Sequence, residues 1–201
     1  MAVMNSDGWD TRYATAELVW SAQPNQFVVE EFTGLTPGRA LDLGCGEGRN
    51  AIWLAIRGWQ ATGGDFSPVG VDKGRRIAEH AGVGVDWVVA DLCAYQPPAD
   101  AFDAVLVAYL HLPPADLAGI LARAAEAVAP GGTLLVVGHD ATNLTDGVGG
   151  PQDPEVLYTP EAIAAELPGL RVTRAERVRR VVATDDGERH AVDTLVRAVR
   201  D

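Results

Sequence analysis

The stretch LDLGCGEGRN, residues 41–50, decides the fold. It has the pattern of a short apolar strand followed by a turn in which Gly44, Gly46 and Gly48 stand at alternate positions. Glycines allow a tight strand-to-helix turn and let a ligand approach the backbone closely. A dinucleotide-binding turn would carry its third glycine at position 49, where Arg49 stands, and a phosphate loop ending in Gly-Lys-Ser/Thr is absent. The stretch predicts a turn for a ligand without a pyrophosphate, or a glycine turn with no ligand.

Short apolar strands alternate with helical segments along the rest of the chain. After the strand at 39–43, strands are predicted at 59–64, 84–89, 102–108 and 133–138, with helices at 49–57, 67–81, 113–128 and 160–167. Two last strands, 171–182 and 189–200, flank an Asp-Gly turn that is typical of a hairpin. This order predicts an α/β protein with one doubly wound, seven-stranded sheet, mostly parallel, with an antiparallel hairpin at its C-terminal edge.

Composition limits the domain count and the classes of partner. At about 100–200 residues per domain, 201 residues predict a single domain over 1–201. The formal net charge of −12 disfavours nucleic acid and membrane surfaces as partners. The two cysteines define no disulfide framework, and no apolar run reaches the roughly 18 residues of a membrane span. We therefore expect a cytoplasmic protein.

Acidic residues stand where two other predicted strands end. In a sheet of this kind the ligand lies beyond the carboxyl ends of the strands, beside the first strand. Asp65 ends the second strand, where a carboxylate can accept both hydroxyls of a ribose, and Phe66 follows it. Asp91 and Leu92 follow the third strand. Each feature alone is common in solvated residues, but the three in this order predict a nucleoside site.

The glycine turn, Asp65 and the Asp91-Leu92 pair resemble the three nucleoside motifs of class I S-adenosylmethionine-dependent methyltransferases. The resemblance covers about residues 40–200 and implies a Rossmann-like sheet that binds S-adenosylmethionine. More narrowly, residues 44–50 and the segment WDTRY, residues 9–13, resemble the small tellurite-resistance and thiopurine methyltransferase-like branch.

The resemblance implies a set of residues around that cofactor. Asp65 would hold the ribose hydroxyls, Phe66 and Leu92 would enclose the adenine, and the backbone of Ala108 would face the sulfonium. The full expected set is Asp42, Gly44, Cys45, Gly46, Gly48, Asn50, Asp65, Phe66, Ser67, Asp91, Leu92 and Ala108.

The branch also implies an aromatic N-terminal cover over the cofactor, which here would be residues 1–33. A continuous helix over 9–20, followed by a second helix over 24–32, would place Trp9, Tyr13 and Trp20 on one face. The alternative is a helix that is docked to the core by the same apolar stripe.

Polar residues after the fourth and fifth strands are the candidates for facing the methyl acceptor. His111, His139 and Asp140 stand there, with Tyr109 shaping the pocket, and histidine is the natural proton acceptor near neutral pH. A capping or packing role is the alternative for each histidine. His139 and Asp140 supply too few ligands for a metal, and no acid ends the fourth strand, so no metal site is predicted.

The stretch 108–114 also lacks the Asn-Pro-Pro-Tyr type of signature seen in amino-group enzymes of this class. The expected acceptor is therefore a small molecule with a soft or acidic nucleophile, and a thiol-like group is favoured. The Gly- and Pro-rich segment 145–157 is long for a simple connection and is either a cover or a disordered loop. We expect a monomer or homodimer.

Two other functions stay open at this point. One is a non-catalytic module that binds S-adenosylmethionine and acts through a partner. The other, which Arg49 disfavours, is a nicotinamide-dependent oxidoreductase on a similar sheet.

Overall fold

Seven strands form one mixed sheet. The computed structural model describes residues 6–15, 18–19, 21–184 and 187–201. The strands are β1 (Arg39–Leu43), β2 (Gln60–Asp65), β3 (Asp86–Val89), β4 (Phe102–Ala108), β5 (Val128–His139), β6 (Arg171–Thr184) and β7 (Gly187–Val199). Their order is β3-β2-β1-β4-β5-β7-β6; β1 to β5 are parallel, and β7 runs antiparallel to both neighbours. The predicted fold class is confirmed.

Two helices precede β1, and the others lie in the connections β1–β2, β2–β3, β4–β5 and β5–β6. The helices are α1 (Ser6–Thr15), α2 (Gln26–Phe32), α3 (Arg49–Ile56), α4 (Pro68–His80), α5 (Pro114–Ala127), α6 (Asn143–Asp146) and α7 (Pro160–Ala165), with a short 3₁₀ helix at Pro154–Val156. Local chemistry sets their starts: the Asn25 side chain accepts from Phe27 N at the start of α2, and Ser67 Oγ accepts from Gly70 N at 3.0 Å at the start of α4. None of the described helices is long and apolar enough to cross a membrane.

The N-terminal helix is shorter than predicted. The prediction of one helix over 9–20 is wrong, because α1 ends at Thr15 and both Leu18 and Val19 are outside regular secondary structure. The Val19 N–H instead donates to Glu47 Oε2 at 3.0 Å, a tertiary contact that a continuing helix would not make. Trp20, the third predicted residue of the cover, lies outside the described residues.

Both faces of the sheet are buried at its central strands. Along β4, Val105 and Val107 belong to the core layer that α5 covers, whereas Leu106 belongs to the opposite layer with Phe27 and Trp59. A strand with two buried faces carries a nearly continuous apolar run, which explains the sequence of β4. The backbone is thereby fixed on both sides, so the loops at the carboxyl ends of the strands are held by a rigid base.

The C-terminal hairpin brings one buried acid beside the end of β5. In the antiparallel register of β5 and β7, Asp193 pairs with His139, the last residue of β5. On the other side of β7, Asp193 pairs with Val178 of β6, and Arg180 follows two residues later. The hairpin therefore supplies charged side chains to the edge of the sheet where the predicted site lies.

Candidate functional site

A cavity of about 720 Å³ lies at the carboxyl ends of β1, β2, β4 and β5. This volume falls in the range of about 300–1,000 Å³ that is usual for ligand sites. Predicted site residues in its lining are Trp9, Tyr13, Gly44, Cys45, Gly46, Asn50, Asp65, Phe66, Ala108, Tyr109, His111 and His139. The cavity has two ends: a glycine-turn end (Gly44–Gly46, Asp65 and Phe66) and a histidine end (Tyr109, His111, His139 and Arg180).

At the glycine-turn end, the carboxylate of Asp65 ties two strand ends together. Its Oδ2 accepts from Gly46 N at 2.8 Å, and its Oδ1 accepts from Ser67 N at 2.9 Å. Gly44 N also donates to Gly64 O at 2.8 Å, so the turn is fastened to the end of β2. Burial raises the pKa of Asp65 above its usual value, against the lowering effect of these N–H donors. Asp65 thus both shapes the turn and lines the cavity.

Asp42 lies within β1, two residues before the first glycine of the turn, and is only 1% exposed. It does not line the cavity, and neither carboxylate oxygen accepts a hydrogen bond of good geometry from the described residues. Burial raises its pKa to about 7, and the nearby Arg49 opposes that shift. A buried acid without such a partner is costly to folding when it is ionised.

Gly48 has a packing role that the glycine pattern did not reveal. It does not line the cavity, and a Cβ atom there would overlap the indole of Trp87 from β3. Its φ of 78° lies in the left-handed region that favours glycine. Gly48 therefore admits the Trp87 ring beneath the turn.

Three more of the residues expected around the cofactor lie outside the cavity lining. Ser67 is fully buried as the cap of α4, and Leu92 packs in the core layer that contains Leu43. Asp91 is exposed and accepts from Cys93 N at 2.9 Å, which shapes the turn after β3. The adenine contacts expected of Leu92 and Asp91 are thus not formed by the cavity as it stands.

The N-terminal helix α1 is docked on α4 and also lines the cavity. The ring of Tyr13 is 4% exposed, and a Cβ atom on Gly70 of α4 would lie 3.0 Å from it. Trp9 stacks on Tyr13 with ring centroids 5.5 Å apart, and Asp10 accepts from the Ser67 hydroxyl. Helix α1 therefore packs on the core, and its Trp9 and Tyr13 also line the cavity.

At the histidine end, both ring nitrogens of His111 are engaged. Its Nε2 accepts from the backbone N–H of His139 at 3.3 Å, so Nδ1 carries the proton and donates to Val156 O at 2.8 Å. Burial lowers the pKa of His111 to about 4. His111 is a neutral ring that joins the end of β5 to the loop before α7.

His139 has a different environment. Its Nδ1 lies 3.2 Å from Oδ1 of Asp193, a carboxylate that is fully buried. The other oxygen of Asp193 accepts from Tyr109 Oη at 2.7 Å and from Arg180 Nε at 2.9 Å. Burial alone would raise the pKa of Asp193, but His139, Arg180 and Tyr109 outweigh it and lower the pKa below its usual value. Asp193 is therefore a carboxylate.

Tyr109 is held in an unusual backbone conformation by this network. Its φ is 57°, in the left-handed region, and its hydroxyl also accepts from Asn25 Nδ2 at 3.2 Å and from Arg180 Nε at 3.1 Å. Burial and the neighbouring Asp193 raise the pKa of the phenol, so Tyr109 stays protonated. The left-handed backbone turns the ring of Tyr109 towards the histidine pair, 5.1 Å from the centroid of His139.

Asp140 lies away from the cavity, unlike the expectation that it faces an acceptor. It is fully buried and accepts from Thr142 N, from Thr194 Oγ1 at 2.6 Å and from Arg177 Nε at 3.0 Å. These donors lower its pKa, although burial alone would raise it. Asp140 fastens the start of the loop to the hairpin.

The segment 145–157 is folded over the histidine end. Asn143 connects it to β7, since its Nδ2 donates to Gly149 O at 2.9 Å and its Oδ1 accepts from Val192 N at 2.7 Å. Residues 150–153 line the cavity, and Gly150 lies against the ring of His139. In the described part of the chain, no cluster of three or more His, Cys, Asp or Glu could hold a metal ion.

Sequence reasoning missed Asp193, Arg180 and Arg49. Arg49, where a dinucleotide-binding turn would have glycine, lines the cavity, and burial lowers its pKa. The one available signal for Asp193 was its position as the lone acid in the otherwise uncharged run AVDTLV, residues 191–196.

Comparison with known proteins agrees with this architecture. Residues 40–132 match the family described as "Methyltransferase domain". The demethylmenaquinone methyltransferase of Thermus thermophilus is 36% identical over 124 residues, which are 61% of this chain and 54% of that protein. This chain thus spans about half the length of that curated relative.

Solved structures share the fold at lower identity. A structure from work on the conversion of a disulfide bond into a thioacetal group during echinomycin biosynthesis has a TM-score of 0.78 at 23% identity, covering 98% of this chain and 93% of that one. TehB from Haemophilus influenzae has a TM-score of 0.73 at 19% identity, covering 98% and 67%. Magnesium protoporphyrin IX methyltransferase from Synechocystis PCC 6803, solved with bound S-adenosylhomocysteine, has a TM-score of 0.65 at 17% identity, covering 98% and 83%.

The match over residues 40–132 includes the glycine turn, Asp65, β1 except its first residue, and all of β2 to β4. The strand order with its antiparallel β6–β7 edge is also that of the class I methyltransferase fold. The chain thus has the class I methyltransferase fold, and nearly half of it, residues 40–132, matches the methyltransferase domain family.

Proposed function

We propose that the protein transfers the methyl group of S-adenosylmethionine to a soft or acidic nucleophile on a small molecule. One observation carries this proposal: a single cavity joins the glycine-turn end to a cluster of polar, titratable side chains at the histidine end. A donor held at the first end would lie next to an acceptor held at the second. A binding module without catalysis would not need Tyr109, His139 and Arg180 in the same cavity.

The residues at the glycine-turn end fit the donor. Asp65 would accept the ribose hydroxyls on the lone pairs left by its two N–H partners, and Phe66 and Trp9 offer aromatic surface to the adenine. Bound there, S-adenosylmethionine would supply an electrophilic methyl group on a sulfonium.

The protein's own contribution is alignment and the exclusion of water. Charge is lost when an anion attacks a cationic methyl donor, so a dry and well-aligned site favours the reaction. Helix α1 and residues 150–153 both line the cavity and would limit its access to water. We further propose that residues 1–33 act as a cover on a single domain spanning residues 1–201.

The comparisons support a small-molecule acceptor, and they include no feature that distinguishes a sulfur from an oxygen nucleophile. The Thermus thermophilus relative is named for a quinone-type acceptor, and the net charge of −12 disfavours nucleic acid. The fold likeness to TehB and the segment 9–13 support the tellurite-resistance and thiopurine branch, for which the sequence favours a thiol-like acceptor. His139, the candidate base, distinguishes a thiol from an acidic hydroxyl, because a hydroxyl must lose its proton during the reaction and an ionised thiol need not.

Two measurements test the proposal. Calorimetry with S-adenosylmethionine and S-adenosylhomocysteine should show micromolar binding, and NADH should not bind. An acceptor panel of thiols, phenols, amines and chalcogen oxyanions, followed by release of S-adenosylhomocysteine, should then show turnover. Binding of NADH alone would point to an oxidoreductase. Donor binding without turnover on any class would point to a non-catalytic module.

A further inference from the structure

We propose that His139 and Asp193 form a proton-accepting pair, and that the acceptor therefore arrives as a protonated oxygen nucleophile of the phenol or enol class. This inference rests on the proposed methyl transfer and names its substrate class. His139 would act as the base, and Asp193 would be a positioning residue that acts through it.

The hydrogen-bond pattern around Asp193 leaves one oxygen for His139. Its Oδ2 is used by Tyr109 Oη and Arg180 Nε, whereas Oδ1 is buried and faces Nδ1 of His139 at 3.2 Å. Neither Oδ1 nor Nδ1 forms a hydrogen bond of good geometry within the described residues, so their 3.2 Å approach is an ion-pair contact between two otherwise unpartnered atoms. A carboxylate beside a ring nitrogen favours the tautomer with the proton on that nitrogen, so Nδ1 carries the proton.

That tautomer makes Nε2 of His139 the basic nitrogen. His139 lines the cavity, and in the described part of the chain Nε2 has no protein partner and, unlike Nδ1, is not a buried atom. His111 cannot replace it, although the two rings stack with centroids 5.4 Å apart, because both of its nitrogens are engaged with the backbone. The histidine end therefore contains one available base.

The charges that face His139 suit proton uptake. The carboxylate of Asp193 from β7 would stabilise the imidazolium, while Arg180 from β6 neutralises that carboxylate when the ring is neutral. Tyr109 and His111, which follow β4, are uncharged neighbours of the ring. This arrangement serves a nucleophile that must lose a proton during the reaction.

The proton of the acceptor hydroxyl passes to Nε2 of His139, and an oxygen lone pair forms the new bond to the methyl carbon as the carbon–sulfur bond breaks with its electron pair on sulfur. The imidazolium then returns its proton to water when the product leaves. A thiol that is already ionised near neutral pH would make this pair dispensable.

The test compares two acceptor classes on the whole protein. The probes are ring-substituted phenols of graded acidity and the matching thiophenols, the latter largely ionised at the assay pH. His139→Gln should lower kcat for weakly acidic phenols by about 10²–10⁴ with little change in KM. The loss should shrink as the phenol becomes more acidic, and should stay within about tenfold for thiophenols.

Asp193 is tested against a matched buried acid. Asp193→Asn should show the same acceptor-dependent pattern, and the double variant should be no worse than His139→Gln alone, because the two residues act as one unit. Asp140→Asn is the control: Asp140 is equally buried and is paired with Arg177 as Asp193 is with Arg180, but it lies outside the cavity lining. Its effect should be equal for the two acceptor classes.

Nitrogen-15 NMR of the imidazole gives a readout that needs no turnover and no buried substitution. The wild-type protein should show His139 protonated on Nδ1. A proton on Nε2, equal losses for phenols and thiophenols in His139→Gln, or a wild-type enzyme that methylates thiophenols but no phenol would overturn the inference and leave methyl transfer intact. Failure to bind S-adenosylmethionine would instead overturn the proposed function.

Discussion

Gly150 lies so close to the ring of His139 that a Cβ atom on the glycine would be 2.7 Å from ring carbons Cγ and Cδ2. The φ of Gly150 is 76°, so the backbone conformation also favours glycine. Asn143 holds the adjoining Gly149 carbonyl in place, 2.9 Å from its own Nδ2. The loop after α6 is thus fitted to the candidate base, and its position can be changed by one methyl group.

Gly150→Ala should impair catalysis more than ligand binding. The added methyl group would displace either the loop or the His139 ring, and a misplacement of about 1 Å can cost about 100-fold in rate. Gly149→Ala is the matched control, because Gly149 also has a left-handed φ, of 71°, but a Cβ there meets nothing within 4 Å. Steady-state kinetics and calorimetry with S-adenosylhomocysteine measure the two effects. Equal rate losses in both variants would show that backbone strain, and not contact with His139, is responsible.

Asp65→Ala should weaken binding of S-adenosylhomocysteine by roughly 2 kcal/mol or more, because charge-assisted hydrogen bonds to the ribose are lost. The variant also removes the acceptor of the Gly46 N–H, which loosens the turn. Asp65→Asn keeps one carbonyl oxygen and should lose less. Calorimetry gives the affinities and circular dichroism checks the fold. An unchanged dissociation constant in Asp65→Ala would place the ribose elsewhere.

Asp42 should make the unliganded protein less stable as the pH rises from about 4 to 7. Its pKa is raised from 3.8 to about 7 by burial, so the folded state binds a proton that the unfolded state releases in this interval. Linkage puts the resulting loss at up to about 4 kcal/mol above pH 7. Asp42→Asn should flatten the curve of unfolding free energy against pH, measured with denaturant at each pH.

Asp140 should have the opposite effect on the pH dependence of the unfolding free energy. Its pKa is lowered, so its contribution to stability is present above its unfolded value of 3.8 and is lost as the pH falls through the folded value. Asp140→Asn should therefore lose stability at neutral pH and converge with the wild-type protein in acid.

For Asp42, the contradicting result would be parallel curves of unfolding free energy against pH for the wild-type protein and Asp42→Asn between pH 4 and 7, since a protonated Asp42 would then not be present.

Trp9 and Tyr13 should separate a covering role from a packing role. Tyr13 is almost fully buried against α4, so Tyr13→Ala should cost about 3 kcal/mol of unfolding free energy. Trp9 is half-buried and lines the cavity, so Trp9→Ala should lower the affinity for S-adenosylhomocysteine with a smaller loss of stability. Denaturant unfolding and calorimetry measure both. If Trp9→Ala binds the ligand as tightly as wild type, helix α1 is a packing element and not a cover.

The sheet and the glycine-turn end could be predicted because their signals are local. Alternate glycines, a capping serine before proline, and an acid at a strand end each act over a few residues. The packing role of Gly48 could not be predicted from local signals, because its partner, Trp87, comes from β3, two strands away in the sheet. The end of α1 likewise depends on tertiary contacts such as that of Val19 with Glu47.

The histidine end could be predicted only in part. His139 follows an obvious strand, but its contact with Asp193 depends on the register between β5 and β7. A slip of one residue would turn Asp193 to the other face of the sheet, and composition does not fix that register. The same limit explains Asp140, which stands beside His139 in the chain and faces the hairpin instead of the cavity.

The two ends of the candidate site come from different parts of the chain. The glycine-turn end comes from β1 and β2, inside the stretch shared with the methyltransferase domain family, whereas His139, Arg180 and Asp193 come from β5 to β7, beyond residue 132. Changes at His139, Arg180 and Asp193 can therefore alter the histidine end while the glycine-turn end stays unchanged. Likeness to the methyltransferase domain family over residues 40–132 is for that reason a poor guide to the proposed acceptor, and exchange of the strands after residue 132 between relatives is the direct way to transplant specificity.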